Sequence, residues 1–424
     1  MTSVLIRGFP SLDNYGTGMM GLVTVDRLAR RIPGPVTFHC DFAAATDPDE
    51  VRAELDFGTA QVTLARWSER RDQGALAGLR RLASTADVKQ HDLVVMLGGD
   101  DISEYYYKGI WRTMVRFARQ NMTTPVVLLG QTIGPFARPA NRLAARLFLS
   151  RVAIYPRDRW CTAYLAREFG MGANLFQSTD LALGDLPLQH RQDIEAGTLA
   201  RFGLVPDGYA TLVVSALQKA GYYTSDREAY LGAHARLVEQ LLSRADMAGK
   251  KLVLLAHTFG IYGAEADYVA QVAARVPEAL QPRLVRVTER ILQTRARFLL
   301  GNGLFTVTGR MHPAVSTFQM GRPAIALAYS KKYEGVIGTM IGRGDLIVDA
   351  NDPTLWATGA IVERVLEKVD HAMAQMPRLR SEIAESVAAQ KQLVEQTFDH
   401  LAANHLGRLS PRQASRAGGS SLPS

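Results

Sequence analysis

Cysteine is scarce in this chain: Cys40 and Cys161 are the two in 424 residues. Two thiols cannot build a disulfide framework, and their spacing matches no metal-ligand pattern. A reducing compartment, the cytoplasm, is therefore expected, and no metal is. No uninterrupted apolar stretch reaches the roughly 20 residues that a membrane-spanning helix needs. The apolar run in Met1–Phe9 is broken by Arg7 and leads into a glycine-bearing turn rather than a cleavage site, so no secretory leader is expected. The basic-aromatic patterning of nucleic-acid modules is missing, which sets that class of partner aside.

What remains is ordinary globular material, with 47% hydrophobic and 21% charged residues. A chain of 424 residues exceeds the size at which one core keeps growing, so two domains are expected. The formal charge of +8 suits an anionic ligand or the anionic face of a membrane, unless the arginines simply solvate helix faces.

Short apolar runs alternate with glycine-bearing turns and helical periodicity. Val4–Ile6, Val36–Phe38, Leu93–Leu97, Val126–Leu129 and Val152–Tyr155 read as buried strands. After a more polar stretch, Asp185–Asp207, the series restarts with Thr211–Val214, Leu252–Leu255, Leu304–Val307 and Ala324–Leu327. Continuous apolar strands alternating with helices predict parallel sheets covered on both faces, hence an α/β fold of two Rossmann-like domains facing a cleft. The expected divisions are residues 1–187, a linker over 188–207, a second domain over 208–371 and C-terminal helices over 372–409 that pack back on the halves. The tail 410–424, rich in Ser, Arg and Gly, is expected to be disordered.

Ligands of open α/β sheets bind beyond the carboxyl ends of the strands, which directs attention to the turns there. In the first half these are Asn14-Tyr15-Gly16-Thr17-Gly18, Gly98-Gly99-Asp100-Asp101, the 130–136 turn Gly-Gln-Thr-Ile-Gly-Pro-Phe, and Pro156-Arg157-Asp158. Glycines there let backbone N–H groups approach a ligand, or they serve turn geometry alone. Asp100 and Asp101 suit a sugar hydroxyl or a metal, and equally a helix cap.

The sharper pattern is Thr308-Gly309-Arg310-Met311-His312-Pro313, after a buried strand and opening a helix. Pro313 fits a first helical turn, where its missing N–H does no harm. Arg310 offers a planar, permanently charged fork for carboxylate or phosphate, and His312 a proton exchangeable near neutral pH. The next strand ends in Tyr329-Ser330-Lys331-Lys332, which puts Tyr329 and Lys332 at the same edge. His257 also ends a strand, a position where a histidine is often structural.

The ordered set resembles the polysaccharide pyruvyl transferase family. It includes the Asn-Tyr-Gly turn, Gly98-Gly99, the Gly130–Phe136 segment, Arg157-Asp158, Asp180, Arg310-Met311-His312 and the Pro323–Lys332 strand and turn. Each element is weak alone; their order is specific. The resemblance implies a glycosyltransferase B-like fold and phosphoenolpyruvate as donor substrate, with no resident cofactor. By it, His312 is the catalytic acid and Arg310, Lys332, Arg157 and Tyr329 are donor contacts, the second domain being the expected donor side. Asn14, Tyr15, Gly98, Gly99, Asp100 and Asp101 become acceptor contacts, the acceptor being a glycan or lipid-linked oligosaccharide, with room for peripheral contact at the inner membrane face. Two departures stand out: Asp100 replaces the family's third glycine, and Pro313 replaces the small residue after the histidine.

Two other readings fit the same residues. A nucleotide-sugar glycosyltransferase of this fold would grip a diphosphate with Arg310 and Lys332, and a carbohydrate-binding protein would keep the fold without turnover. Nothing in the residues specifies an oligomeric state.

Overall fold

A computed structural model of the chain describes residues 1–58, 61–68, 85–104, 108–260 and 265–406. The tail 410–424, for which disorder was expected, lies outside the described residues. The chain forms two compact units, one of Met1–Ser11, Met20–Leu181 and Gln392 onward, the other of Leu12–Met19 and Ala182–Lys391.

The first unit holds a six-stranded sheet of β1 (Thr2–Arg7), β2 (Val36–Cys40), β3 (Val62–Arg66), β4 (Leu93–Leu97), β5 (Val126–Gln131) and β6 (Ala153–Pro156). The order is β3-β2-β1-β4-β5-β6, and every pairing is parallel. The second unit holds β7 (Tyr209–Val213), β8 (Lys251–Leu255), β9 (Leu284–Val287), β10 (Thr306–Thr308), β11 (Ala324–Ala328) and β12 (Ile347–Asp349). Its order, β12-β11-β10-β7-β8-β9, is the same topology repeated, again all parallel. Each unit is therefore Rossmann-like, with its strand order reversing beside its first strand. In the second unit that reversal lies between β7 and β10, the strand that leads into Arg310.

β3, β9 and β12 were not among the expected strands, and all three are sheet edges. An edge strand is covered on fewer sides and tolerates polar residues: β9 reads Leu-Val-Arg-Val and only Val287 is buried. Central strands such as β7, β11 and β5 are buried at every position, which is why they stand out as apolar runs.

The boundary also differs from expectation. The segment 188–207 is no free linker: it contains the Gln192–Arg201 helix and belongs wholly to the second unit. Gln189 and Glu195 explain why, since their side chains accept hydrogen bonds from Arg297 (3.0 Å) and Asn302 (2.7 Å) of that unit. The Met376–Leu401 helix is shared out between the units. Its Arg380 pairs with Asp207 at 2.6 Å in the second unit, while in the first unit Glu395 pairs with Arg27 (2.6 Å) and Asp399 with Arg31 (2.8 Å).

Candidate functional site

The turn after β10 is held from both sides. Oγ1 of Thr308 accepts the N–H of Arg310 at 2.9 Å and donates to the Arg310 carbonyl at 2.9 Å. The hydroxyls of Tyr223 and Tyr333 (the latter at 2.9 Å) both donate to the carbonyl of Gly309. Burial, reinforced by neighbouring tyrosines, pushes both phenol pKa values well up, so each remains an O–H donor. Arg310 caps the Met311–Gln319 helix in an extended conformation, and Pro313 falls in the first turn, where helix N–H groups lack intrahelical partners.

The side chain of Arg310 meets a carboxylate the motif does not contain. Its Nε donates to Oε1 of Glu265, a residue with no solvent exposure at the start of the Glu265–Ala273 helix. Oε2 of Glu265 accepts the backbone N–H groups of His257 (2.8 Å) and Thr258 (3.0 Å), and Oε1 accepts that of Ala216 at 3.4 Å. One buried carboxylate thus ties together the turns after β7, β8 and β10. Burial works against the charge on Arg310, but Glu265 outweighs it and the guanidinium pKa is raised.

His257 is fully buried, and neither ring nitrogen has a hydrogen-bond partner among the described residues. Burial, with further repulsion from Arg310 and His312, holds its pKa well below the usual histidine value, so the ring is neutral. Its carbonyl accepts the N–H of Tyr15 at 3.3 Å, and the two rings meet edge to face at 5.1 Å.

The Leu12–Met19 segment belongs to the second unit through these contacts. Asn14 forms a backbone bridge with Thr258, the hydroxyl of Tyr15 accepts the N–H of Ile291 at 2.8 Å, and Leu12 O accepts from Gln293 at 2.8 Å. Asn14 and Tyr15 were expected on the N-terminal side; the structure places both against the β8 turn instead. Asn14 Oδ1 accepts the N–H of Gly16 at 3.1 Å, and so caps the Tyr15–Ala29 helix. Gly16 lies against the ring of His312, with no room for a Cβ.

Tyr329 and Lys332 follow β11 in the same unit. Nζ of Lys332 donates to the Tyr329 hydroxyl at 2.7 Å and lies 4.7 Å from the ring centroid. That ring packs on Tyr222 at 4.7 Å and Tyr333 at 5.3 Å. The second unit therefore gathers Asn14, Tyr15, Arg310, His312, Tyr329, Lys332 and the strand-end His257 with three residues the motifs did not single out: Tyr223, Glu265 and Tyr333.

The other expected residues lie at the carboxyl edge of the first sheet. Arg157 is 1% exposed; its Nε donates to Thr132 at 2.6 Å and its guanidinium lies 3.6 Å from Asp180. Gly98 packs against the backbone of Gly130, an approach that excludes any side chain. Gly99 and Asp100 are half-buried and Asp101 is exposed. Tyr105–Tyr107, three ring-bearing residues that follow this turn in sequence, lie outside the described residues.

The polysaccharide pyruvyl transferase family model matches residues 14–246, more than half of the chain. The chain belongs to this family. The match covers the Asn14, Gly98, Gly130 and Arg157 turns and stops before Arg310. This assignment makes the chain a transferase associated with pyruvylation of polysaccharides.

Solved structures of similar fold include UDP-GlcNAc 2-epimerase from Neisseria meningitidis bound to UDP-GlcNAc (10% identity, TM-score 0.59, covering 95% of this chain and 100% of that one). The UDP-GlcNAc 2-epimerase from Methanocaldococcus jannaschii is similar at 13% identity and TM-score 0.55, over 87% of this chain and 92% of that one. An Anabaena protein, HepE, in complex with UDP is similar at 12% identity and TM-score 0.54, over 96% of this chain and 100% of that one. At such identities the likeness is one of fold, and it is the glycosyltransferase B-like, doubly Rossmann architecture of this family member.

Proposed function

We propose that the chain transfers a pyruvyl group from phosphoenolpyruvate to two hydroxyls of one sugar in a cell-surface polysaccharide or its precursor, forming a cyclic ketal and releasing phosphate. The observation that carries this reading is the Arg310–His312 turn, with its cation held by buried Glu265 and its imidazole seated on Gly16.

Phosphoenolpyruvate carries a carboxylate and a phosphate, and a guanidinium already fixed by Glu265 answers such charge without reorganisation at the moment of reaction. Arg310 and Lys332 bind the donor in this reading, and Tyr329 orients Lys332. His312 delivers a proton to the methylene carbon as a sugar hydroxyl attacks the adjacent carbon. That carbon then loses phosphate, and a second hydroxyl of the sugar closes the ring. Of the two hydroxyl protons released, one balances the proton that His312 gave and the other leaves with phosphate or solvent. General acid catalysis of this kind supplies roughly 10²–10⁴-fold. The acceptor contacts of this reading are Gly98, Gly99, Asp100 and Asp101, with Asn14 and Tyr15.

The test is a panel of glycan and lipid-linked oligosaccharide acceptors incubated with phosphoenolpyruvate, following phosphate and the mass of the acceptor. Phosphate release together with a pyruvyl mass increase supports the reading. Nucleotide release from a sugar nucleotide would replace it with glycosyl transfer, and no turnover with either donor would leave a carbohydrate-binding protein.

A further inference from the structure

No helix among the described residues is long and apolar enough to cross a membrane. The first unit nevertheless carries a surface suited to lying on one. From residue 105 to 157 the sequence contains eight arginines, one lysine and no acidic residue. Much of this charge sits on two helices, Trp111–Asn121 and Pro139–Phe148, which link β4 to β5 and β5 to β6. Successive right-handed crossovers in one direction along a sheet put both helices on the same face. They are tied at both ends, by the N–H of Trp111 to Asn141 Oδ1 (3.1 Å) and by Asn121 Nδ2 to the Arg151 carbonyl (2.6 Å).

On the Pro139–Phe148 helix the solvent side is not uniformly polar. Leu143 and Leu147, four residues apart and so on one stripe, are 59% and 47% exposed. Beside them Arg138, Arg142 and Arg146 form a second exposed stripe at the same spacing. At the end of the neighbouring helix Met122 is 82% exposed. Single exposed leucines need no explanation, but paired leucines flanked by a row of arginines form an amphipathic pattern of the interfacial kind. The adjacent acids are locally engaged: Glu168 with Arg142 at 3.1 Å, and Glu104 with the N–H groups of Ala137 (3.1 Å) and Arg138 (2.9 Å).

We propose that this face of the first unit docks on an anionic lipid bilayer, Leu143 and Leu147 entering the acyl boundary while Arg138, Arg146 and their neighbours meet headgroup phosphates. Charge complementarity selects an anionic surface, and the leucine stripe selects lipid over nucleic acid, which would use the arginines and leave the leucines in water. The inference is independent of the donor and of the reaction.

The experiment is sedimentation of the full chain with vesicles of phosphatidylcholine alone or mixed with phosphatidylglycerol. Binding should require phosphatidylglycerol and weaken with salt. Each basic side chain near such a surface is worth about five-fold in partitioning, so Arg138→Gln with Arg146→Gln should cost about 25-fold. Leu143→Ala with Leu147→Ala, which preserves helix propensity, should cost about ten-fold or more through lost apolar burial. Absence of binding, or equal binding to both vesicles, would overturn the proposal. So would binding that the leucine pair does not affect, or tighter capture by a single-stranded RNA oligonucleotide that the leucine variant retains.

Discussion

The imidazole of His312 occupies the space beside Gly16 that a side chain would take: a Cβ there would overlap the ring at Nδ1 and Cγ. Gly16 lies in the first turn of the Tyr15–Ala29 helix, where alanine would suit the backbone. Gly16→Ala therefore tests ring placement rather than helix formation. Displacing a catalytic group by about 1 Å can cost roughly 10²-fold, so turnover should fall by that order while far-ultraviolet circular dichroism stays unchanged. Unaltered turnover would mean that the position of His312 does not matter to the reaction.

Glu265 is a counter-charge hydrogen-bonded to Arg310, and it is fully buried. Replacing one partner of a buried pair strands the other, at a cost of about 3–5 kcal/mol. Glu265→Gln should lose stability on that scale in urea unfolding. It should also weaken the donor dissociation constant about ten-fold under conditions where the variant stays folded, because Arg310 is no longer aimed. A variant that is destabilised but binds donor normally would reduce Glu265 to a structural role.

Arg310 and His312 are separable by kinetics. His312→Ala should lower turnover by roughly 10²–10⁴-fold and leave donor affinity within about three-fold. Arg310→Lys keeps the charge but loses the planar fork, and should chiefly weaken donor binding, by about ten-fold. Calorimetric titration with phosphoenolpyruvate checks both, and the reverse pattern would exchange the roles.

His234 offers a pH test remote from this chemistry. It is buried, Nδ1 lies 2.8 Å from the Tyr230 carbonyl, and Nε2 has no partner among the described residues. Burial holds its pKa down to about 4, against a slight opposing effect of that contact. Its folded pKa thus lies below the unfolded value of about 6.5, so below that pH the unfolded chain takes up a proton the folded chain declines. Stability is full above about pH 6.5 and falls toward pH 4, by up to about 1.4 kcal/mol per unit for this group. His257, shifted the same way, adds to the slope. In urea unfolding between those limits, His234→Phe should flatten the dependence by about one proton. An unchanged slope would mean that His234 is already protonated in the folded protein.

Much of the candidate site was legible because it is local. A buried strand, a glycine and a helix start fall within the few residues around Arg310 and His312, and Tyr329–Lys332 repeats the arrangement one strand on. Glu265 was not legible, since an acid in the first turn of a helix ordinarily serves that helix's own dipole. Its carboxylate is instead spent on N–H groups at His257 and Thr258 and on a guanidinium 45 positions away. Tyr223 and Tyr333 were hidden for a related reason, as their hydroxyls converge on one carbonyl from 86 and 24 positions away. His257 was visible as a strand-end histidine, but its unpartnered, neutral ring depends on what surrounds it.

Sequence by itself determined the two series of parallel strands and their chemistry-bearing turns, because continuous apolar runs and glycine turns are properties of neighbouring residues. It left out the edge strands β3, β9 and β12, whose partial cover permits polar residues. Tertiary structure alone decided which turns share a unit. Asn14 and Tyr15 begin the chain's first helix yet belong with the second sheet, because the Tyr15 hydroxyl and the N–H of Ile291, 276 positions apart, satisfy each other in the interior. A buried polar group must find a partner wherever the chain brings one, and sequence distance carries no information about where that is.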